Sequence, residues 1–109
     1  MFARINRFEV ADGKEKELTE AYAKTIDVVK QEPGFLEGVL MIEPGTSQAV
    51  SVTFWESQEA MERTGKPGPG TLLEKILPVV RPFQKAPPVH KHYAVKFRMK
   101  KSTTRSSSA

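Results

Sequence analysis

The sequence predicts an α+β fold of the ferredoxin-like kind, βαββαβ, with a four-stranded antiparallel sheet and helices on one face. Three observations lead there. The hydrophobic pattern switches between strand and helix periods in the order strand, helix, strand, strand, helix, strand. Turn residues, chiefly Gly and Pro, fall between those segments. The chain is 109 residues long, which suits one domain.

Residues 2–10, "FARINRFEV", predict the first strand. Phe2, Phe8 and Val10 share a face with Arg4 and Asn6, and Ala3 and Ile5 lie on the other. After the "ADGK" turn, Leu18, Ala21, Tyr22, Ile26 and Val29 recur at helical spacing, predicting a helix from Lys14 to about Gln31. Pro33 ends it, because proline disfavours helix at the residue before it and has no N–H to donate. "FLEGVLMIE", 35–43, is the second strand and 48–55 the third, joined as a hairpin through "PGTS". Ser57 is placed to cap a helix beginning at Gln58, with Glu59 near its positive end. "KPGPG", 66–70, splits this region, and a second helical piece follows from Thr71. Pro82, Pro87 and Pro88 mark its exit. The last strand is expected over 89–99, with Val89, Tyr93, Val95, Phe97 and Met99 on one face. The domain is therefore expected to span 1–99. The Ser/Thr-rich "KKSTTRSSSA" of 100–109 is expected to be a disordered basic tail.

Composition narrows the function classes. The absence of cysteine removes disulfides, thiolate metal sites and a cysteine nucleophile. The net charge is +4, and Lys100, Lys101 and Arg105 of the tail carry three of those charges. The body is nearly neutral, so no nucleic-acid surface is expected. "MFARINRF" is no signal peptide and no window is apolar enough to span a bilayer, so no membrane partner and a cytoplasmic location are expected. No phosphate loop, dinucleotide fingerprint, GxSxG or HExxH occurs.

The third strand predicts association. Val50, Val52 and Phe54 form a wholly apolar face, while Ala49, Ser51, Thr53 and Trp55 form a small, partly polar one. A monomer would leave one face wet, whereas a homodimer packing sheet on sheet would use both.

The segments "ARINRFEV.DGK", "EPGFLEGVLMIEPGTSQAVSVTFWESQEAM" and "HYAVKF" resemble the antibiotic biosynthesis monooxygenase superfamily over roughly residues 2–98. The carrying motifs are PGF, the WxS strand-to-helix junction and the final Y-x-V strand. The resemblance implies a dimeric α+β barrel with a pocket between each sheet and its own helices. It includes cofactor-independent quinol-forming monooxygenases, heme-degrading enzymes and members without known activity. It implies that Trp55 sits at the pocket rim, as a wall or as a plug at the end of the core.

Asn6 matches a first-strand pocket asparagine of the heme-degrading branch, or else makes a hydrogen bond to a strand end or across the dimer. That branch also carries a tryptophan and a histidine on its second helix. Here Thr64 stands near the tryptophan's place, and no histidine falls between 57 and 82. Heme is therefore not expected, nor any other cofactor or metal. Some monooxygenases carry an asparagine four residues before the WxS tryptophan; the residue here is Ser51, which hydrogen-bonds but polarises less. Tyr22 reads as a pocket hydroxyl or a core tyrosine. His90 and His92 share a face at the start of the last strand, and His92 is a candidate base near neutral pH. No carboxylate neighbours them to complete a metal site. Arg81 is a candidate anion contact in the pocket, or a charge placed at a helix's negative end. Residues 65–70 form either a lid or a plain break.

The expected function is cofactor-independent monooxygenation of a small phenolic or quinol-type aromatic compound, with Asn6, Trp55, Tyr22 and His92 carrying the chemistry and Ser51 and Arg81 lining the pocket. The alternatives are a non-catalytic ligand-binding or structural dimer of the same fold, and a heme-degrading protein.

Overall fold

The structure is a computed structural model that describes residues 1–101. In chain order it has β1 (Phe2–Glu9), α1 (Glu15–Val29), β2 (Phe35–Ile42), β3 (Gln48–Trp55), α2 (Gln58–Thr64), α3 (Leu72–Val80), a 3-10 turn (Arg81–Phe83) and β4 (Val89–Ala94). The strands form one sheet in the order β2-β3-β1-β4, and every neighbouring pair is antiparallel. The tail expected at 100–109 lies outside the described residues from 102 onward.

Local chemistry sets the boundaries. Ser57 caps α2, its hydroxyl accepting from the Ala60 N–H at 3.1 Å, and Thr71 caps α3 through the Glu74 N–H at 3.3 Å. Gly34 explains the PGF motif. Its φ of +88° lies in the left-handed region, and a Cβ there would stand 2.6 Å from the Ala60 Cβ. Glycine thus lets the chain turn into β2 and lets α2 sit directly against the turn. The Glu56 N–H donates to the Gly34 carbonyl at 2.8 Å and ties the two junctions together.

One expectation needs correction. The last strand ends at Ala94, not at 99, because its pairing partner runs out. Ala94 stands opposite Phe2, the first residue of β1, and only one further bond follows, from the Val95 N–H to the Met1 carbonyl at 2.9 Å. Phe97 and Met99 keep the alternating pattern but are 79% and 81% exposed. The second helical region is divided into α2 and α3 on either side of the KPGPG segment, as its prolines and glycines predict, and a 3-10 turn follows α3.

The register settles which face meets the helices. A bulge between Phe35 and Glu37 shifts the parity of β2. Phe35 and Gly38 consequently share a face with Leu40 and Ile42, opposite Trp55, Thr53, Ser51 and Ala49 of β3. These in turn stand opposite Phe2, Arg4, Asn6 and Phe8 of β1. Phe8 stacks on Tyr22 of α1 with ring centroids 6.3 Å apart, so this is the helix face. The apolar set of Val50, Val52 and Phe54 therefore lies on the open face with Val39, Met41 and Tyr93.

Beneath the helices the core falls into two clusters. One holds Phe8, Val10, Leu18 and Ala49. The other holds Trp55, Ala60, Met61 and Leu72. Between them, mid-sheet, stand Gly38, Ser51, Thr53, Asn6 and Arg4, which are too small or too polar to fill the space under α1 and α3.

Candidate active site

That unfilled space is a cavity of about 550 Å³ between the sheet and the helices, a size that suits a small organic molecule. Apolar walls come from Val29 and Ile26 of α1, Leu72, Ile76 and Val80 of α3, and Phe35, Leu40 and Trp55 of the sheet. Its polar side chains include Arg4, Asn6, Tyr22, Ser51 and Thr53. No aspartate, glutamate or histidine lines it.

Trp55 is both wall and plug. It is 1% exposed, packs edge-on against Phe35 at a centroid distance of 5.4 Å, and lines the cavity. Its indole N–H donates to the Thr53 hydroxyl at 2.9 Å, so its contribution to the cavity is a surface and not a free donor.

Asn6 sits mid-strand, where its Oδ1 lies 2.6 Å from His90 Nδ1. With the Nδ1–H tautomer His90 donates, which leaves the Asn6 amide N–H groups for the cavity. Ser51 is buried at the position opposite Asn6. Burial pushes the Tyr22 phenol above its ordinary value, opposed by nearby Ser51 and Gln84, so Tyr22 is a neutral donor at neutral pH and not a base. Gln84 Oε1 closes no hydrogen bond and is buried without a partner among the described residues, so its effect on Tyr22 is one of proximity.

The cavity thus brings together Asn6, Tyr22, Ser51 and Trp55. Neither His92 nor Arg81 lines it. His92 is exposed on β4, and its Nε2 accepts from Arg4 Nε at 3.3 Å. Arg81 is exposed in the 3-10 turn. Residues 65–70 are also absent from the lining. The loop reaches the site only through Gly65, where a Cβ would stand 2.6 Å from Arg4 Nη2.

Arg4 is the site residue that sequence reasoning passed over. Besides His92, it donates to the Thr64 hydroxyl at 3.2 Å and to the Met61 carbonyl. Its only signal in the sequence was a charge between Phe2 and Asn6 on the inward face of a strand. Burial lowers its pKa, yet a guanidinium stays charged in a protein. No carboxylate pairs with it among the described residues.

No group of three or more potential metal ligands occurs among the described residues, and none of their helices is long and apolar enough to cross a membrane. The family model for antibiotic biosynthesis monooxygenase matches residues 1–64, which include β1 to α2 and most of the sheet side of the cavity. The chain belongs to this family. Solved structures agree on the fold. SnoaB, a cofactor-independent oxygenase from Streptomyces nogalater, superposes with a TM-score of 0.72 at 22% identity, covering 92% of this chain and 97% of its own. A protein of unknown function from Nitrosomonas europaea gives 0.73 at 14% identity, covering 93% and 94%. A conserved protein from Methanosarcina mazei gives 0.71 at 12%, covering 87% and 92%. No curated protein matches the chain by sequence. The family's match ends at Thr64, so α3, which closes the cavity over Leu72, Ile76 and Val80, lies beyond it.

Proposed function

We propose that this protein is a cofactor-independent monooxygenase of a small phenolic or quinol-type aromatic compound, and that it works as a homodimer. The observation that carries the reading is a half-open, largely apolar cavity touching both Asn6 and Trp55. SnoaB, of the same fold, is a cofactor-independent oxygenase, which supports it.

The chemistry asks little of the protein. An ionised phenol has carbanion character at its ring carbons and can pass electrons to O₂. One oxygen atom then bonds to the ring, the other leaves as water, and the phenol becomes a quinone with no external reductant. The protein supplies a dry space, orientation and polar groups for the phenolic oxygen. The apolar walls disfavour water around a bound ring. Asn6 and Tyr22 offer donors, and Trp55 and Phe35 give flat surfaces for an aromatic ring.

The homodimer reading is supported by the open face, where Val39, Met41 and Tyr93 are each between 42% and 50% exposed beside the apolar β3 residues. Such a patch marks an interface.

Oxygen uptake tests the proposal. Metal-chelated protein with naphthols and naphthohydroquinones should consume O₂ faster than the buffer blank, and an Asn6→Ala, Trp55→Phe double variant should fall by at least about tenfold. Binding of these compounds with no uptake above the blank would favour the non-catalytic ligand-binding dimer.

A further inference from the structure

We infer that the cavity selects its aromatic ligand in the ionised form, with Arg4 holding the phenolate oxygen. This rests on the cavity being the ligand site and adds the charge state of what enters it.

Arg4 lacks an anionic partner among the described residues. A guanidinium has five N–H donors. Nε is engaged by His92, and Nη1 and Nη2 donate to the Thr64 hydroxyl and the Met61 carbonyl, which leaves one N–H on each Nη nitrogen. All three partners are neutral acceptors, His92 necessarily so because its Nε2 accepts a hydrogen bond and therefore carries no proton. The charged groups around Arg4 do not supply a counter-ion. His92 on β4 faces it, Glu62 on α2 acts on His92, and no carboxylate lies within ion-pair distance of Arg4 among the described residues. A partly buried cation without an anion is costly, and an anion entering the adjoining cavity offsets that cost.

The second part is what the rest of the lining lacks. With no aspartate, glutamate or histidine on its walls, the cavity holds no group suited to take a proton from a bound phenol. Lys30, the other cation of the lining, lies at the exposed rim and is paired to Asp27 at 3.3 Å. Proton removal therefore falls to solvent, before or during entry, and Arg4 favours the ionised state. Gly65 completes the arrangement, because any side chain there would push the guanidinium aside.

The test uses 4-nitrophenol, whose phenolate is yellow, and 4-nitroanisole, which cannot ionise. Below the pH at which the free phenol ionises, binding to the wild-type protein should turn the phenol yellow. Calorimetry should show nitrophenol binding about tenfold or more tightly than nitroanisole. Arg4→Lys should keep the colour, while Arg4→Gln should bind both ligands equally and colourlessly. Equal affinity and no colour in the wild type would overturn the inference and leave the cavity standing as a neutral aromatic site. Binding of neither ligand would overturn both. Should Arg4→Gln fail to fold, the comparison of the two ligands on the wild type decides alone.

Discussion

At the residue scale, Trp55 and His92 show how placement assigns a role. Trp55→Ala should destabilise the protein by about 3 kcal/mol, the lower end for a buried aromatic, because one side of the ring already borders empty space. Urea unfolding measures this, and a loss below about 1 kcal/mol would mean the ring is not part of the core. His92 makes a different prediction. Burial and the charge of Arg4, helped by His90 and opposed by Glu62, hold its imidazole below the ordinary value. Between the lowered folded value and the unfolded value near about 6.5, the unfolded chain binds more protons. Stability therefore falls as pH drops from the unfolded value through the folded one. Thermal unfolding across that window should show the loss, and His92→Gln should flatten it; an unchanged slope in the variant would assign the effect elsewhere.

At the scale of the elements, the turn at Gly34 is the most demanding position. Gly34→Ala meets both a strained φ and the Ala60 Cβ, whereas Gly13→Ala, at φ +70° with nothing within 4 Å, meets the strain alone. Gly34→Ala should cost well over about 1 kcal/mol and clearly more than Gly13→Ala. Equal costs would mean that α2 yields freely. The same scale shows what the sequence could disclose. Most element positions were legible, because hydrophobic period, proline stops and the Ser57 cap are local signals. Asn6, Ser51, Tyr22 and Trp55 could be brought forward as one group because strand parity and helical spacing put them on definable faces. The face that meets the helices was not legible, because the bulge at Phe35–Glu37 reverses the parity of β2 and leaves no trace in residue type. The end of β4 was hidden for another reason. Val95, Phe97 and Met99 continue the strand pattern, and only the start of β1 limits their pairing. Arg4 was hidden because its role depends on Met61, Thr64 and His92, which are distant in sequence.

For the whole molecule, the unusual feature is a sheet whose open face is largely apolar while its covered face carries a polar, small-residue patch between two apolar clusters. A filled core would replace that patch with apolar side chains. The arrangement makes sense if the covered face houses a ligand and the open face meets a second copy. Light scattering at micromolar concentration should return two chains per particle. Met41→Lys and Val39→Glu together should return one, with little loss of helix content, since both side chains are exposed in the single chain. A monomeric wild type would remove the dimer from the account.

Isotope labelling separates oxygenation in this cavity without a cofactor from background oxidation. Chelator-treated protein would be given a naphthohydroquinone or naphthol substrate under ¹⁸O₂ and the quinone product examined by mass spectrometry. One labelled oxygen atom is expected in each product molecule, formed faster than in the blank and reduced in the Asn6→Ala, Trp55→Phe variant. Product that carries oxygen from water alone, or labelling that the variant leaves unchanged, would contradict cofactor-free oxygenation in this cavity.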